Sequence, residues 1–216
     1  MKNRFELLIF DWDGTLVDSI QWIVESLHFA AQEQGFAVPS DRLARSVIGL
    51  SLDRAIETML PQARESDIEG LMASYQHHYN SKSLSRDDLF AGVPAMLDSL
   101  REGGYKLAVA TGKTRAGLDH ALSATGAADW FHATRAAGET ASKPDPLMLL
   151  QLMAELDVPP ERTLMIGDSV HDLQMAKNAG IEAAGVFCGA DEPEQLLAFR
   201  PLLGLDQTAG LLAFLL

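Results

Sequence analysis

Residues 5–19 read FELLIFDWDGTLVDS. Phe5 to Phe10 is a short apolar run broken only by Glu6, and a run of that length reads as a buried β-strand. It gives out abruptly at Asp11 and Asp13, followed by Gly14 and Thr15. The two carboxylates therefore stand at the carboxyl end of a strand. In open α/β sheets that edge is where ligands bind. A carboxylate held there can attack phosphorus and form an aspartyl-phosphate, which makes Asp11 a candidate nucleophile. Asp13 lies close enough along the chain to serve as an acid/base partner for the leaving oxygen.

After Ser19 the rhythm becomes helical. Ile20, Ile23, Val24, Leu27 and Ala31 recur at three- and four-residue spacing, and Gly35 is a natural stop. Further helices are expected from Ser40-Asp41 to Gly49, from Ser51 to Pro61, and from about Asp67 to Lys82. No strand signal interrupts residues 14–89. The block follows the first strand, so it reads as an insertion, with joints near 14–19 and 83–92.

Beyond Pro94 strands and helices alternate. KLAVA (106–110) is a second strand, ending at Thr111-Gly112-Lys113. Residues 131–134 are a short third, TLMI (163–166) a fourth and 183–187 a fifth. Helices are expected over 94–100, 114–125, 146–156 and 169–179, and two short apolar helices at the end of the chain. This order predicts an α/β fold with a parallel sheet covered by helices on both faces. The core holds a five-stranded, mostly parallel sheet, with a small all-helical cap domain inserted after the first strand. The corresponding boundaries are 1–15 and 88–216 for the core and 16–87 for the cap.

Composition narrows the function. The chain has 216 residues, 47% of them hydrophobic, and a net charge of −13. So acidic a chain has no electrostatic reason to bind nucleic acid or an anionic membrane. Its one cysteine, Cys188, cannot form an internal disulfide and suits a reducing compartment. Glu6 and Asp11 interrupt the first apolar run, which is not a signal-peptide pattern. A cytoplasmic enzyme with no obligate protein partner is expected.

Three strand ends and one helix start carry the chemistry. Asp11 and Asp13 close the first strand, and Thr111 the second. Asp168 closes the fourth, with Asp172 one helical turn later. Lys143 precedes the helix leading into the fourth. Clustered carboxylates repel one another unless a cation joins them. Oxygen-only donors select a hard divalent cation such as Mg²⁺. Thr111, with the backbone N–H groups of Gly112 and Lys113, can donate to phosphate oxygens. Lys143 can offset charge on the nucleophile and the transferring group.

DWDGT at 11–15, VATGK at 109–113, SKPDP at 142–146 and GDSVHD at 167–172 occur in that order. In these motifs the chain resembles the haloacid dehalogenase superfamily phosphohydrolases, in the branch of phosphoglycolate phosphatases and β-phosphoglucomutases. The resemblance implies a Rossmann-like core and a mobile helical cap over it. It also implies Mg²⁺ held by Asp11, the backbone carbonyl of Asp13, and Asp168, with Asp172 nearby. The second motif departs from the Thr-Asn-Lys common in that branch, because Gly112 stands where the asparagine would be. The expected activity is Mg²⁺-dependent hydrolysis of a small phosphorylated metabolite. Alternatives are a sugar phosphomutase, a dehalogenase, or a non-catalytic binding protein on the same fold. The loop Ile48–Leu52 and the cap cations Arg45, Arg54, His77, His78 and Lys82 are candidates to meet an anionic substrate, Arg45 foremost.

Overall fold

A computed structural model describes residues 4–215. Strand β1 (Leu7–Phe10) leads into four helices: α1 (Ile20–Glu33), α2 (Asp41–Ser46), α3 (Leu52–Met59) and α4 (Glu65–Tyr79). Then follow α5 (Val93–Glu102), β2 (Lys106–Thr114), α6 (Arg115–Thr125), β3 (Ala133–Ala137) and α7 (Leu147–Leu156). The chain continues through β4 (Thr163–Gly167), α8 (Val170–Ala179), β5 (Glu182–Val186), α9 (Pro193–Leu197), β6 (Leu203–Leu205) and α10 (Leu212–Leu215).

The sheet order is β3-β2-β1-β4-β5-β6, and every pairing is parallel. The expected five strands are thus six. The extra one, β6, lies in the terminal stretch read as helix only, between α9 and α10. It pairs Leu203, Gly204 and Leu205 with Ala184, Gly185 and Val186 at the sheet edge. The third strand also starts later than expected, at Ala133, because Ala128–Trp130 form a short 3₁₀ turn ahead of it.

β1 is central, which explains its unbroken apolar run. Leu8 and Phe10 pack into the core on one face of the sheet, and Leu7 and Ile9 into the core on the other. Chain order reverses beside β1, since β2 and β3 lie to one side and β4, β5 and β6 to the other. The crevice at that switch point opens between the carboxyl ends of β1 and β4. Register fixes its contents. Phe10 pairs with both Val109 and Ile166, so Asp11, Thr111 and Asp168 emerge at nearly one level.

Helices α1–α4 have an apolar cluster of their own, built around Ile23, Leu27, Ile56, Met59 and Leu71. The segments entering and leaving this block pair with each other. Asp18 N–H donates to the Asp88 carbonyl at 2.9 Å, and Phe90 N–H to the Leu16 carbonyl at 3.0 Å. Both ends of the block thus leave the core through one backbone-bonded ribbon. Among the described residues no helix is long and apolar enough to cross a membrane.

Candidate active site

Extended backbone alternates its side chains, and the sequence D-W-D uses that alternation. Trp12 is wholly buried in the core, edge-on to Phe131 at 6.4 Å between ring centroids. Asp11 and Asp13 line the cavity at the sheet edge instead. The two acids then take different partners.

Asp11 belongs to a buried corner. Lys143 Nζ lies 2.8 Å from Asp11 Oδ1 and 2.7 Å from Asp172 Oδ1. Asp172 is the third residue of α8, and its Oδ2 accepts from the Ser169 hydroxyl at 2.7 Å in a capping box. One carboxylate therefore closes the helix start and fixes the lysine. Asp168 is held as tightly. Its Oδ1 accepts from the Thr15 hydroxyl at 2.6 Å, and its Oδ2 from Ala190 N–H at 2.7 Å. Gly14, at φ +73°, makes room for it. A Cβ there would come within 2.2 Å of Asp168 Oδ2.

Burial sets the charge of this corner. It pushes the Asp168 carboxyl up to about 7, aided by the neighbouring Asp172 and opposed by the Thr15 and Ala190 hydrogen bonds. It also raises Asp11 well above the ordinary range, against the attraction of Lys143, while Asp172 and Asp168 add to the rise. Burial works to lower Lys143, but Asp11 and Asp172 outweigh it and hold the ammonium above its usual value. Three carboxylates face one ammonium, so negative charge is left uncompensated.

A cation fits that surplus. Asp11, Asp168 and Asp172 each offer an oxygen, all within 4.8 Å of one another. Asp11 Oδ1 is buried against the Lys143 ammonium and accepts no other hydrogen bond among the described residues. An all-oxygen donor set suits a hard divalent ion. The Asp13 carboxylate stands outside this group.

Asp13 Oδ1 accepts from the Ser19 hydroxyl at 2.7 Å, and its Oδ2 lies 3.1 Å from Lys113 Nζ. Lys113 Nζ also donates to the Tyr79 hydroxyl at 2.9 Å, joining the sheet edge to α4. Burial opposes the Lys113 charge, and Asp13 more than restores it, so this ammonium too sits above its usual value. Lys113 N–H donates to Thr111 Oγ1 at 3.2 Å, so it is committed within the loop and does not stand free for a phosphate. Thr111 accepts in that bond and keeps its own proton to donate.

A cavity of about 500 Å³ lies between this edge and the helical block. Asp11, Asp13, Thr111, Gly112 and Lys113 line it from the core. Val47, and Ile48, Gly49, Leu50 and Leu52 of the expected Ile48–Leu52 loop, line it from the block. Arg45 does not line it. Its guanidinium turns to the carbonyls of Gly189 and Ala190, at 2.7 and 3.2 Å. Arg54 pairs with Glu57, and Lys82 with Asp88. His77 and His78 face the Phe29 ring.

Several supporting residues were not singled out from the sequence. Thr15 and Ser19 hold Asp168 and Asp13, and each hydroxyl follows the acids within a few residues, which is a signal of sorts. Tyr75 and Tyr79, stacked at 5.6 Å in α4, carried no such sign. Cys188 is half-buried, its Sγ 3.6 Å from the Gly14 carbonyl.

A family profile described as "Haloacid dehalogenase-like hydrolase" matches residues 8–186. The "Probable phosphatase IndB" of Dickeya dadantii (strain 3937) is 36% identical over 204 residues, spanning 93% of this chain and 89% of that protein. A phosphoglycolate phosphatase of Vibrio vulnificus (strain YJ016) is 29% identical over 220 residues, spanning 98% of this chain and 96% of its own. Among solved structures, one described as a predicted phosphoglycolate phosphatase from Haemophilus somnus 129PT superposes with a TM-score of 0.84 at 25% identity. It spans 98% of both chains.

Proposed function

The chain belongs to the haloacid dehalogenase-like hydrolases, and from that premise we propose that it is a Mg²⁺-dependent phosphatase acting on a small phosphorylated metabolite. The observation that carries this is the double placement of Asp11. It lines the cavity, and it is held from behind by Lys143 at 2.8 Å.

In this reading residues 1–15 and 88–216 form the catalytic core and residues 16–87 a cap. The Asp11 carboxylate attacks phosphorus, the ester oxygen departs, and an aspartyl-phosphate remains. Asp13 gives its proton to the departing oxygen, then takes one from the water that hydrolyses the aspartyl-phosphate. Ser19 and Lys113 orient that carboxylate. Thr111 and Gly112 N–H face the phosphoryl oxygens. Lys143 neutralises Asp11 and, through Asp172, cannot swing away. Asp11, Asp168 and the Asp13 carbonyl would hold Mg²⁺, with Asp172 beside them. The ion supplies charge neutralisation for the approach of an anionic phosphate to an anionic nucleophile.

A dehalogenase would need neither the Asp13 acid nor the cation. A sugar phosphomutase would share the corner, but the apolar side of this cavity offers few partners for sugar hydroxyls. The test is phosphate release across a panel of phosphate monoesters. Activity should vanish in excess chelator, return with Mg²⁺, and be inhibited by Ca²⁺, whose looser shell spoils in-line geometry. Full activity in chelator, or no release from any ester, would overturn the reading.

A further inference from the structure

The cavity wall contributed by the helical block is uncharged. Among its lining residues are Ile23 and Leu27 of α1, Leu50, Leu52 of α3, and Tyr75 and Tyr79 of α4. Gln76 and Asn80 add neutral polar groups, both exposed at the rim. Among the described residues of the block, no Asp, Glu, Lys or Arg lines this space.

The cations that would answer a carboxylate are occupied elsewhere. Arg45 is spent on two backbone carbonyls, Arg54 on Glu57 and Lys82 on Asp88. From the core, Lys113 enters the cavity already paired with Asp13. The other basic side chain lining the space is the His120 imidazole, exposed to water, so a carboxylate seated against Leu27, Leu50 and Leu52 would lose water with no free lysine or arginine in exchange, which is strongly unfavourable. The size points the same way. About 500 Å³ is ample for a drug-sized ligand, and the phosphate ester of a two-carbon acid would leave most of it unfilled. Tyr75 and Tyr79 stack on each other at 17°, and the Lys113 ammonium lies over the Tyr79 ring, so Tyr75 is the ring of the pair with aromatic surface left for a flat group.

We infer that the leaving group is an uncharged alcohol bearing a ring, seated against α1, α3 and α4, and not a small hydroxy acid. This rests on the phosphatase reading above. It also separates the chain from its phosphoglycolate phosphatase relatives in substrate class while keeping their reaction.

Three esters of primary alcohols isolate the leaving group, because their departing oxygens differ little in basicity. They are 2-phenylethyl phosphate, ethyl phosphate and 2-phosphoglycolate, assayed on the wild-type protein with Mg²⁺. The phenylethyl ester should exceed the ethyl ester in kcat/KM by about 10- to 100-fold, the worth of burying one ring. Phosphoglycolate should fall below the ethyl ester. In Leu52→Ala the advantage of the ring over ethyl should shrink by about threefold or more, since about two to three buried carbons are lost. An equal or better rate for phosphoglycolate overturns the inference. So does a ring advantage below about threefold, or one that Leu52→Ala leaves unchanged. If none of the three esters turns over, the phosphatase reading has failed instead. Calorimetry with 2-phenylethylphosphonate and phosphonoacetate then decides this inference by itself. Tighter binding of the ring-bearing phosphonate supports it, and tighter or equal binding of phosphonoacetate overturns it.

Discussion

On the floor of the cavity Asp11 belongs to a buried corner with Asp168, Asp172 and Lys143 behind it, whereas the roof presents Leu27, Leu50, Leu52 and Tyr75. In the floor almost every polar atom is committed. Lys143 serves two acids, and Asp168 accepts from a hydroxyl and a backbone N–H. A site so constrained can do one kind of chemistry. The roof is held to the floor by few polar contacts, among them Arg45 to the 189–190 carbonyls, Ser51 N–H to the Ser142 hydroxyl and Lys113 to Tyr79. Apolar walls discriminate by shape and tolerate exchange of one side chain for another. Reaction and substrate choice are therefore built from different materials, and substitutions on the two sides should fail in different ways.

The largest effect belongs to the floor. Asp11→Asn should remove turnover on every ester, by on the order of 10⁴-fold or more, because an amide cannot replace the attacking carboxylate. The same change removes a buried charge that burial disfavours. In excess chelator the variant should therefore be at least as stable to urea as wild type. A variant both inactive and unfolded would assign Asp11 to the framework only.

A smaller effect of the same corner is its pH dependence. In the metal-free protein the Asp168 carboxyl is pushed up from 3.8 to about 7 by burial. Across that window the folded chain binds more protons than the unfolded one, so stability falls as pH rises. A bound divalent cation favours the charged carboxylates and should flatten or reverse the slope. Urea midpoints at pH 5 and pH 7, with chelator and with Mg²⁺, read this directly. A chelator-treated protein more stable at pH 7 than at pH 5 would contradict the described burial.

The smallest effect lies where roof meets floor. A Cβ on Gly112 would fall 2.3 Å from the Leu50 carbonyl oxygen. Gly112→Ala must therefore push the Ile48–Leu52 loop outward. At the low end of overpacking costs, kcat/KM should drop about fivefold, mostly through KM and mostly for ring-bearing esters. An equal proportional loss on ethyl phosphate would mean that the loop does not read the leaving group. The glycine that departs from the Thr-Asn-Lys pattern thus has a steric role here.

The floor was legible in the sequence because Asp11 and Asp168 follow apolar strands directly and Asp172 stands one helical turn after the second of them. Parallel strands bring such ends to one edge whatever the intervening chain does. The roof was not. Whether Leu27 and Tyr75 face a cavity or a helix neighbour depends on how α1 and α4 cross, and periodicity gives only the apolar stripe. Arg45 shows the limit well. It was the foremost cap candidate to meet an anionic substrate, but the carbonyls of Gly189 and Ala190 decide where it points. Strand β6 escaped because Leu203-Gly204-Leu205 is three residues long, with a glycine at its centre. Gly204 leaves space that a Cβ would share with the Phe187 ring at 2.6 Å, which is a tertiary reason with no local trace.

The central claim is that Asp11 attacks phosphorus while Asp13 manages the proton, and one rapid-mixing experiment on Asp13→Asn addresses it. Nitrophenyl phosphate has a stable leaving group and needs no acid, so its first step should remain fast. Hydrolysis of the aspartyl-phosphate should stall without a base, by on the order of 10²–10⁴. The expected result is a burst of nitrophenol equal to the enzyme present, slow turnover after it, and a phosphoryl group recovered on the peptide containing Asp11. No burst, or a phosphoryl group on any other residue, would contradict it.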